Sequence, residues 1–183
     1  MGKNVLIITG SPRRGGNTEI LVDSFVAGAQ ESGHRIDRFD AAANEVKGCR
    51  ACDACWSKGN ACVFDDGFTV LAPMMARAEV LVLATPVYWF GFSAQLKAAV
   101  DKMYSFLSTN RKAELKIKES ALLICAGDTD ESLFTGSVET YKSACEYMEW
   151  QDRGTIIVPG VMEKGAIAGN PALILARELG KAL

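Results

Sequence analysis

Residues 5–29 read VLIITGSPRRGGNTEILVDSFVAGA, and the fold follows from how this stretch divides. Residues 5–9 are a short β-branched run with no polar alternation, as a strand covered on both faces requires. Glycines and Pro12 interrupt it. A helix follows, with Asn17 or Thr18 placed to cap it and Leu21, Phe25 and Ala29 recurring at four-residue steps. Gly33 ends the helix, and residues 35–40 make a more polar second strand that suits a sheet edge.

The rest of the chain repeats this alternation. A helix is predicted from Asp66 through Met75, then a strand over 80–85. Ser93 caps the next helix, where Leu96, Val100, Met103 and Leu107 form one apolar stripe. A strand over 121–126, a helix over 137–149 and a strand over 155–158 follow. Asn170-Pro171 then supplies a cap and a first-turn proline for the last helix. Five strands alternating with five helices imply an α/β, flavodoxin-like three-layer sandwich. Its five-stranded parallel sheet has the order 2-1-3-4-5, with helices on both faces. The 183 residues fit a single domain, carrying an unusually long connection at about 41–65.

Composition narrows the class. The net charge is −2 and the charges are dispersed, so nucleic acid is not an expected partner. The longest apolar runs are strand-sized, so no membrane span is expected. Residues 1–9 lack the shape of a secretory leader, which makes a reducing cytoplasm the expected location. The six cysteines therefore read as thiols or metal ligands before disulfides. His34, the only histidine, falls at a helix-to-strand turn at the far end of the sheet from the ligand loops, and is expected to be exposed and without function. A Ser-His-Asp hydrolase has no support.

In a sheet of this order, ligands bind beyond the carboxyl ends of the strands at the switch point between strands 1 and 3. Three loops are singled out: 10–18, 86–93 and 126–136. The first, GSPRRGGNT, is neither a Walker A loop nor the G-x-G-x-x-G fingerprint. It suits a terminal phosphate monoester. Gly15 and Gly16 let the backbone approach, and the helix start offers free N–H groups at the positive end of its dipole. Ser11 and Thr18 add hydroxyls, Asn17 an amide, and Arg13 a charge-assisted donor. The second loop, Pro86-Val87-Tyr88-Trp89-Phe90-Gly91-Phe92, places four aromatics within five residues. Aromatic rings and the N–H groups around Gly91 can wall a planar ring and bond its polar edge; Phe90 and Phe92 can equally serve core or subunit contacts.

GSPRRGGNT (10–18) together with TPVYWFGFSAQLKAAVDK (85–102) resembles the NADPH-dependent FMN reductase branch of the flavodoxin-like proteins, and the likeness extends to the ending GAIAGNPALILARELGKAL (165–183). The resemblance implies that Ser11, Arg13, Asn17 and Thr18 hold the FMN phosphate, and that Pro86, Val87, Tyr88, Trp89, Phe90 and Gly91 border the isoalloxazine. Within AGDTDESLF (126–134), Gly127 is the residue placed at the ring's other side.

Cys49, Cys52, Cys55 and Cys62 are spaced C-x2-C-x2-C-x6-C inside the long connection. The first three spacings match a ferredoxin ligand run, and three close thiolates can hold three corners of a cubane with Cys62 as the fourth. Zinc, a redox-active dithiol, and free cysteines packed under the loop remain open alternatives. Cys125 and Cys145 read as buried small hydrophobes. The segment KGCRACDACWSKGNACVFDDGF (47–68) resembles the cysteine motif of the iron-sulfur flavoproteins, which implies a 4Fe–4S cluster beside FMN.

Two functions are expected. The first is an FMN-dependent oxidoreductase taking electrons from NAD(P)H to a small acceptor such as a quinone, a flavin or an azo or nitro compound. No side chain is needed as acid or base. The alternative is an iron-sulfur flavoprotein passing single electrons from ferredoxin through a 4Fe–4S cluster to FMN. A homodimer or homotetramer is expected in either case.

Overall fold

A computed structural model describes residues 2–107 and 114–183; Met1, where the stretch read for a leader begins, lies outside them. In chain order the elements are β1 (Asn4–Thr9), α1 (Asn17–Glu31), β2 (Arg35–Asp40), α2 (Ala54–Lys58) and α3 (Gly67–Arg77). Then come β3 (Val80–Tyr88), β4 (Gly91–Phe92), α4 (Ala94–Asp101), β5 (Glu119–Cys125), α5 (Thr135–Tyr147), β6 (Gln151–Val158) and α6 (Ala172–Lys181). Short 3-10 segments span Lys102–Leu107 and Glu131–Phe134.

The main sheet runs β2-β1-β3-β5-β6, parallel throughout, with β4 paired antiparallel to the end of β3. Without that hairpin strand, the order is the expected 2-1-3-4-5 of a flavodoxin-like fold. Side chains of β1 alternate between two cores. Leu6 and Ile8 join α3, α4 and α5 on one face. Val5 and Ile7 join α1 and α6 on the other. Each fully buried Leu, Ile or Phe contributes about 1.5–3 kcal/mol, so both faces must be covered for the sheet to persist. Helices α1 and α6 touch at their backbones. A Cβ on Gly28 would stand 1.9 Å from the Arg177 carbonyl oxygen, and one on Gly180 would stand 2.2 Å from that of Phe25.

Several local expectations change. The N-cap of α1 is Gly16, and Asn17 and Thr18 lie buried inside the helix, because their side chains have long-range partners described below. The stripe from Leu96 to Leu107 is not one α-helix. It tightens to a 3-10 segment at Lys102, whose side chain turns inward to Asp66. The strand expected over 80–85 runs on to Tyr88 and folds back as β4. Asp66, expected as the first helical residue, instead caps α3 in a capping box with Thr69; Ser93 caps α4, and Cys125 and Cys145 are buried, as expected. Among the described residues, no helix is long and apolar enough to cross a membrane.

His34 is buried, contrary to the expectation of an exposed ring. Its Nδ1 accepts the Lys3 main-chain N–H at 3.0 Å, tying the α1–β2 turn to the start of β1. Burial, reinforced by the nearby Lys3 charge, holds its pKa below the usual imidazole value of 6.5. The unfolded chain therefore binds the proton first. This contribution to stability is complete above that value and is lost as pH falls from it toward the lowered folded value. The urea midpoint should thus drop between about pH 7 and pH 5 more for the wild type than for His34→Asn, whose amide oxygen can accept the same N–H. Equal drops would show that His34 does not carry the effect.

Candidate functional site

The chain leaves β1 beside β3, and the loop over 10–16 begins clamped. The Gly10 N–H donates to the Ala84 carbonyl at 2.8 Å, and the Ser93 hydroxyl donates to the Gly10 carbonyl at 2.7 Å. A Cβ on Gly10 would fall 2.6 Å from that of Leu96, so only glycine fits there. Gly15 adopts φ 62° and donates its N–H to the Glu19 carboxylate, and Gly16 donates to the Arg13 carbonyl at 3.1 Å. The first N–H groups of α1 have no intrahelical acceptors and face the loop, at the positive end of the helix dipole.

A second segment, over 159–170, locks this loop from the far side of the sequence. The Asn17 amide donates to the carbonyls of Val161 and Glu163, both at 2.8 Å, and its oxygen accepts the Ile167 N–H at 3.3 Å. Both amide protons are therefore engaged within the protein, and what Asn17 presents to the loop is its main-chain N–H. Arg13 Nη1 donates to the Met162 carbonyl at 3.1 Å, which leaves the other guanidinium donors free to turn outward. The Thr18 hydroxyl lies 3.1 Å from Cys125 Sγ, and burial pushes that thiol's pKa up. The Lys164 ammonium stands 3.2 Å from where a Cβ on Gly15 would be, adding a cation at the loop's rim.

These elements enclose an open cavity of about 240 Å³. Ser11, Arg13, Gly16, Asn17 and Thr18 form one wall; Pro86, Val87 and Tyr88 at the end of β3 form a second. Cys125 at the end of β5, Ala126 and Gly127 beyond it, and Val161 and Met162 after β6 complete it. Eight of the eleven residues expected to contact FMN thus meet at one cavity. Trp89, Phe90 and Gly91 do not line it. They form the tip of the β3–β4 hairpin, with Trp89 92% and Phe90 55% exposed. Trp89 and Phe90 take φ 45° and 62°, a left-handed pair normally given to glycine or asparagine. Their rings stack at 6.0 Å, and the Phe90 carbonyl packs so tightly on Gly136 that a Cβ there would meet it at 2.5 Å. The sequence reading missed the 159–170 segment. Its signal was Gly160, Gly165 and Gly169 just beyond a parallel strand's carboxyl end, all at positive φ.

The long connection is the second feature. Ala51 (φ 49°) and Asp53 (φ 52°) turn the cysteine run back on itself before α2, and Cys49, Cys52, Cys55 and Cys62 all line one small cavity. Tyr104 holds the loop, donating to Asp53 at 3.2 Å and packing on Trp56 with ring centroids 5.4 Å apart. Burial raises the pKa of the Cys55 thiol. Among the described residues, no three His, Cys, Asp or Glu side chains are grouped closely enough to hold a metal ion, whether zinc or iron. The four cysteines share the lining of one cavity, and in donor type and number they match what a polynuclear group with one thiolate per corner needs. This cavity shares no lining residue with the one at the phosphate loop, so the four cysteines do not open onto it within one chain. A larger cavity of about 610 Å³ between α3 and the 102–107 segment adjoins the cysteine pocket, sharing Ala61, Cys62 and Ser105 with it.

Comparison with known proteins agrees with this geometry. The chain is 33% identical over 165 residues to an iron-sulfur flavoprotein of Methanosarcina thermophila, covering 90% of this chain and 82% of that protein. Its fold matches an NAD(P)H:quinone oxidoreductase from Methanothermobacter marburgensis with TM-score 0.75 at 19% identity, over 99% of this chain and 96% of the other. It also matches an FMN-dependent NADH-azoreductase from Bacillus anthracis in complex with FMN, with TM-score 0.65 at 15% identity, over 98% and 97% of the two chains. The profile of the NADPH-dependent FMN reductases matches residues 3–135, and with the phosphate loop and the β3 end assembled at one cavity, the chain belongs to that family.

Proposed function

We propose that the chain, as one FMN-binding unit, is an oxidoreductase that takes electrons from NAD(P)H to a small acceptor such as a quinone, a flavin or an azo or nitro compound. The observation that carries this reading is the single cavity joining the phosphate loop to the ends of β3 and β5. When bound, FMN supplies the redox chemistry. The protein's part is to hold and orient it. The N–H groups at the start of α1, the Ser11 hydroxyl, Arg13 and Lys164 receive the phosphate dianion. Pro86 to Tyr88 and Gly127 border the ring end. The exposed pair Trp89 and Phe90 supports a homodimer or homotetramer that covers the hairpin. Six cysteines free of disulfides suit a reducing cytoplasm.

A second reading is favoured by one observation, the convergence of four cysteines on one cavity. In it the thiolates hold a 4Fe–4S cluster and electrons arrive singly, from a ferredoxin. The residues fit such a group by donor type and number. Steady-state assays separate the two readings: rapid NAD(P)H oxidation with a quinone supports the first, and reduction through ferredoxin alone supports the second.

Protein denatured after purification should release FMN, identified by mass; FAD, or no flavin affinity in micromolar FMN titrations, would overturn the cofactor assignment. Arg13→Ala should weaken FMN binding by about 1.5–3 kcal/mol, roughly 10- to 150-fold, the range for a hydrogen bond to a charged group. Riboflavin, which lacks the phosphate, should lose much less. Its residual loss would report the freed bond from Arg13 to Met162. Equal losses for both ligands would remove Arg13 from the phosphate site.

A further inference from the structure

Lys102 opens the 3-10 segment after α4, and its side chain is only 3% exposed. The ammonium bonds the carboxylate of Asp66, itself 2% exposed, and lies 5.5 Å from the centre of the Phe68 ring. Asp66 has other duties that do not need the lysine. Its Oδ1 accepts the Phe68 N–H at 2.9 Å to cap α3, and its Oδ2 accepts the Lys47 N–H at 3.1 Å just before the cysteine run. Capping alone is served by the carboxylate, so it does not explain why a lysine is buried beside it. Desolvating an ammonium costs several kcal/mol, and an apolar residue of similar size would fill the space more cheaply.

The remaining wall of Lys102 answers this. Together with Tyr104 and Ser105, it lines the cavity of the four cysteines. Arg50 and Asp53 also line that cavity, but both are exposed, and the Arg50 guanidinium sits over the Phe64 ring at 4.6 Å. Exposed charges are screened by water and salt, whereas a buried one acts through a lower dielectric. Thiolates binding a metal group carry net negative charge into this pocket.

We propose that Lys102 is the charge-compensating residue of the cysteine pocket, its ammonium held by Asp66 so that it stabilises the anionic group the four thiolates form. This rests on the second reading above, that the thiols hold iron and sulfide. It assigns a role to a residue outside the cysteine motif and fixes the sign of its effect. Positive charge favours the more negative, reduced state. Lys102→Met, which leaves the carboxylate without its counter-ion, therefore makes the midpoint potential more negative. Asp66→Asn, which leaves the ammonium alone, makes it more positive. Lys102→Arg restores the wild-type value.

The full-length chain is reconstituted anaerobically with ferrous iron and sulfide. Iron content and the midpoint potential, followed by paramagnetic resonance, are then compared across these variants. Opposite shifts from the two neutralising variants support the assignment. Shifts in the same direction, or none, overturn it, since a purely structural pair would weaken folding and iron retention alike in both. If either single variant fails to fold, the double variant Asp66→Asn with Lys102→Met leaves no orphan charge. Its potential is expected below that of Lys102→Arg, because Lys102 and not Asp66 lines the cavity, and equality would overturn the proposal. A wild type that takes up no iron overturns the cluster reading and the proposal together. A wild type that takes up iron while the variants match it overturns only the role of Lys102.

Discussion

β1 lies between β2 and β3, and this forces the chain to leave the two central strands toward opposite faces of the sheet. After β1 it turns to α1, which packs on the face shared with α6; after β3 it turns to α4, on the other face. Two loops that part from adjacent strand ends cannot fill the space between them, and a cleft is the geometric result. The phosphate loop and the end of β3 are arranged around that opening. The phosphate loop can be rich in glycine because it is held by bonds from β3 and from Ser93 as well as by its own turn. The candidate site is thus a by-product of sheet order, refined by side chains.

What could be read from the sequence divides along the range of the interactions. Strand runs such as 5–9 and 80–85 reveal themselves through local composition, and their order follows from handedness and crossover rules, so the sheet was legible. The phosphate loop was legible because its donors lie next to one another. Asn17 was not, because a residue just before an apolar periodic run looks like a cap. Its true partners, Val161, Glu163 and Ile167, lie about 150 positions away. The hairpin at Trp89 and Phe90 was invisible for another reason: nothing in two aromatic residues advertises a left-handed backbone. His34 was misjudged because burial at a turn depends on what packs over it.

The two functional loops share a physical signature. Both contain non-glycine residues at positive φ, Trp89 and Phe90 in one and Ala51 and Asp53 in the other, each costing of order 1 kcal/mol or more. Both strained turns are braced by ordered neighbours: Gly136 under the hairpin, Tyr104 against the cysteine loop. The 94–107 stretch links them, since it begins at the base of the hairpin and ends against the cysteines. A shift of α4 would therefore be felt at both cavities, although they share no wall.

The Asn17 clasp and the glycine contacts between α1 and α6 also impose an order of events on biosynthesis. The phosphate loop leaves the ribosome well before the carbonyls that fix it, which belong to residues 161 and 163, and the helix that covers α1 comes later still. Until α6 emerges, α1 alone covers that face of the nascent sheet. The phosphate loop hence takes its fixed form only after residues about 150 positions downstream have been made.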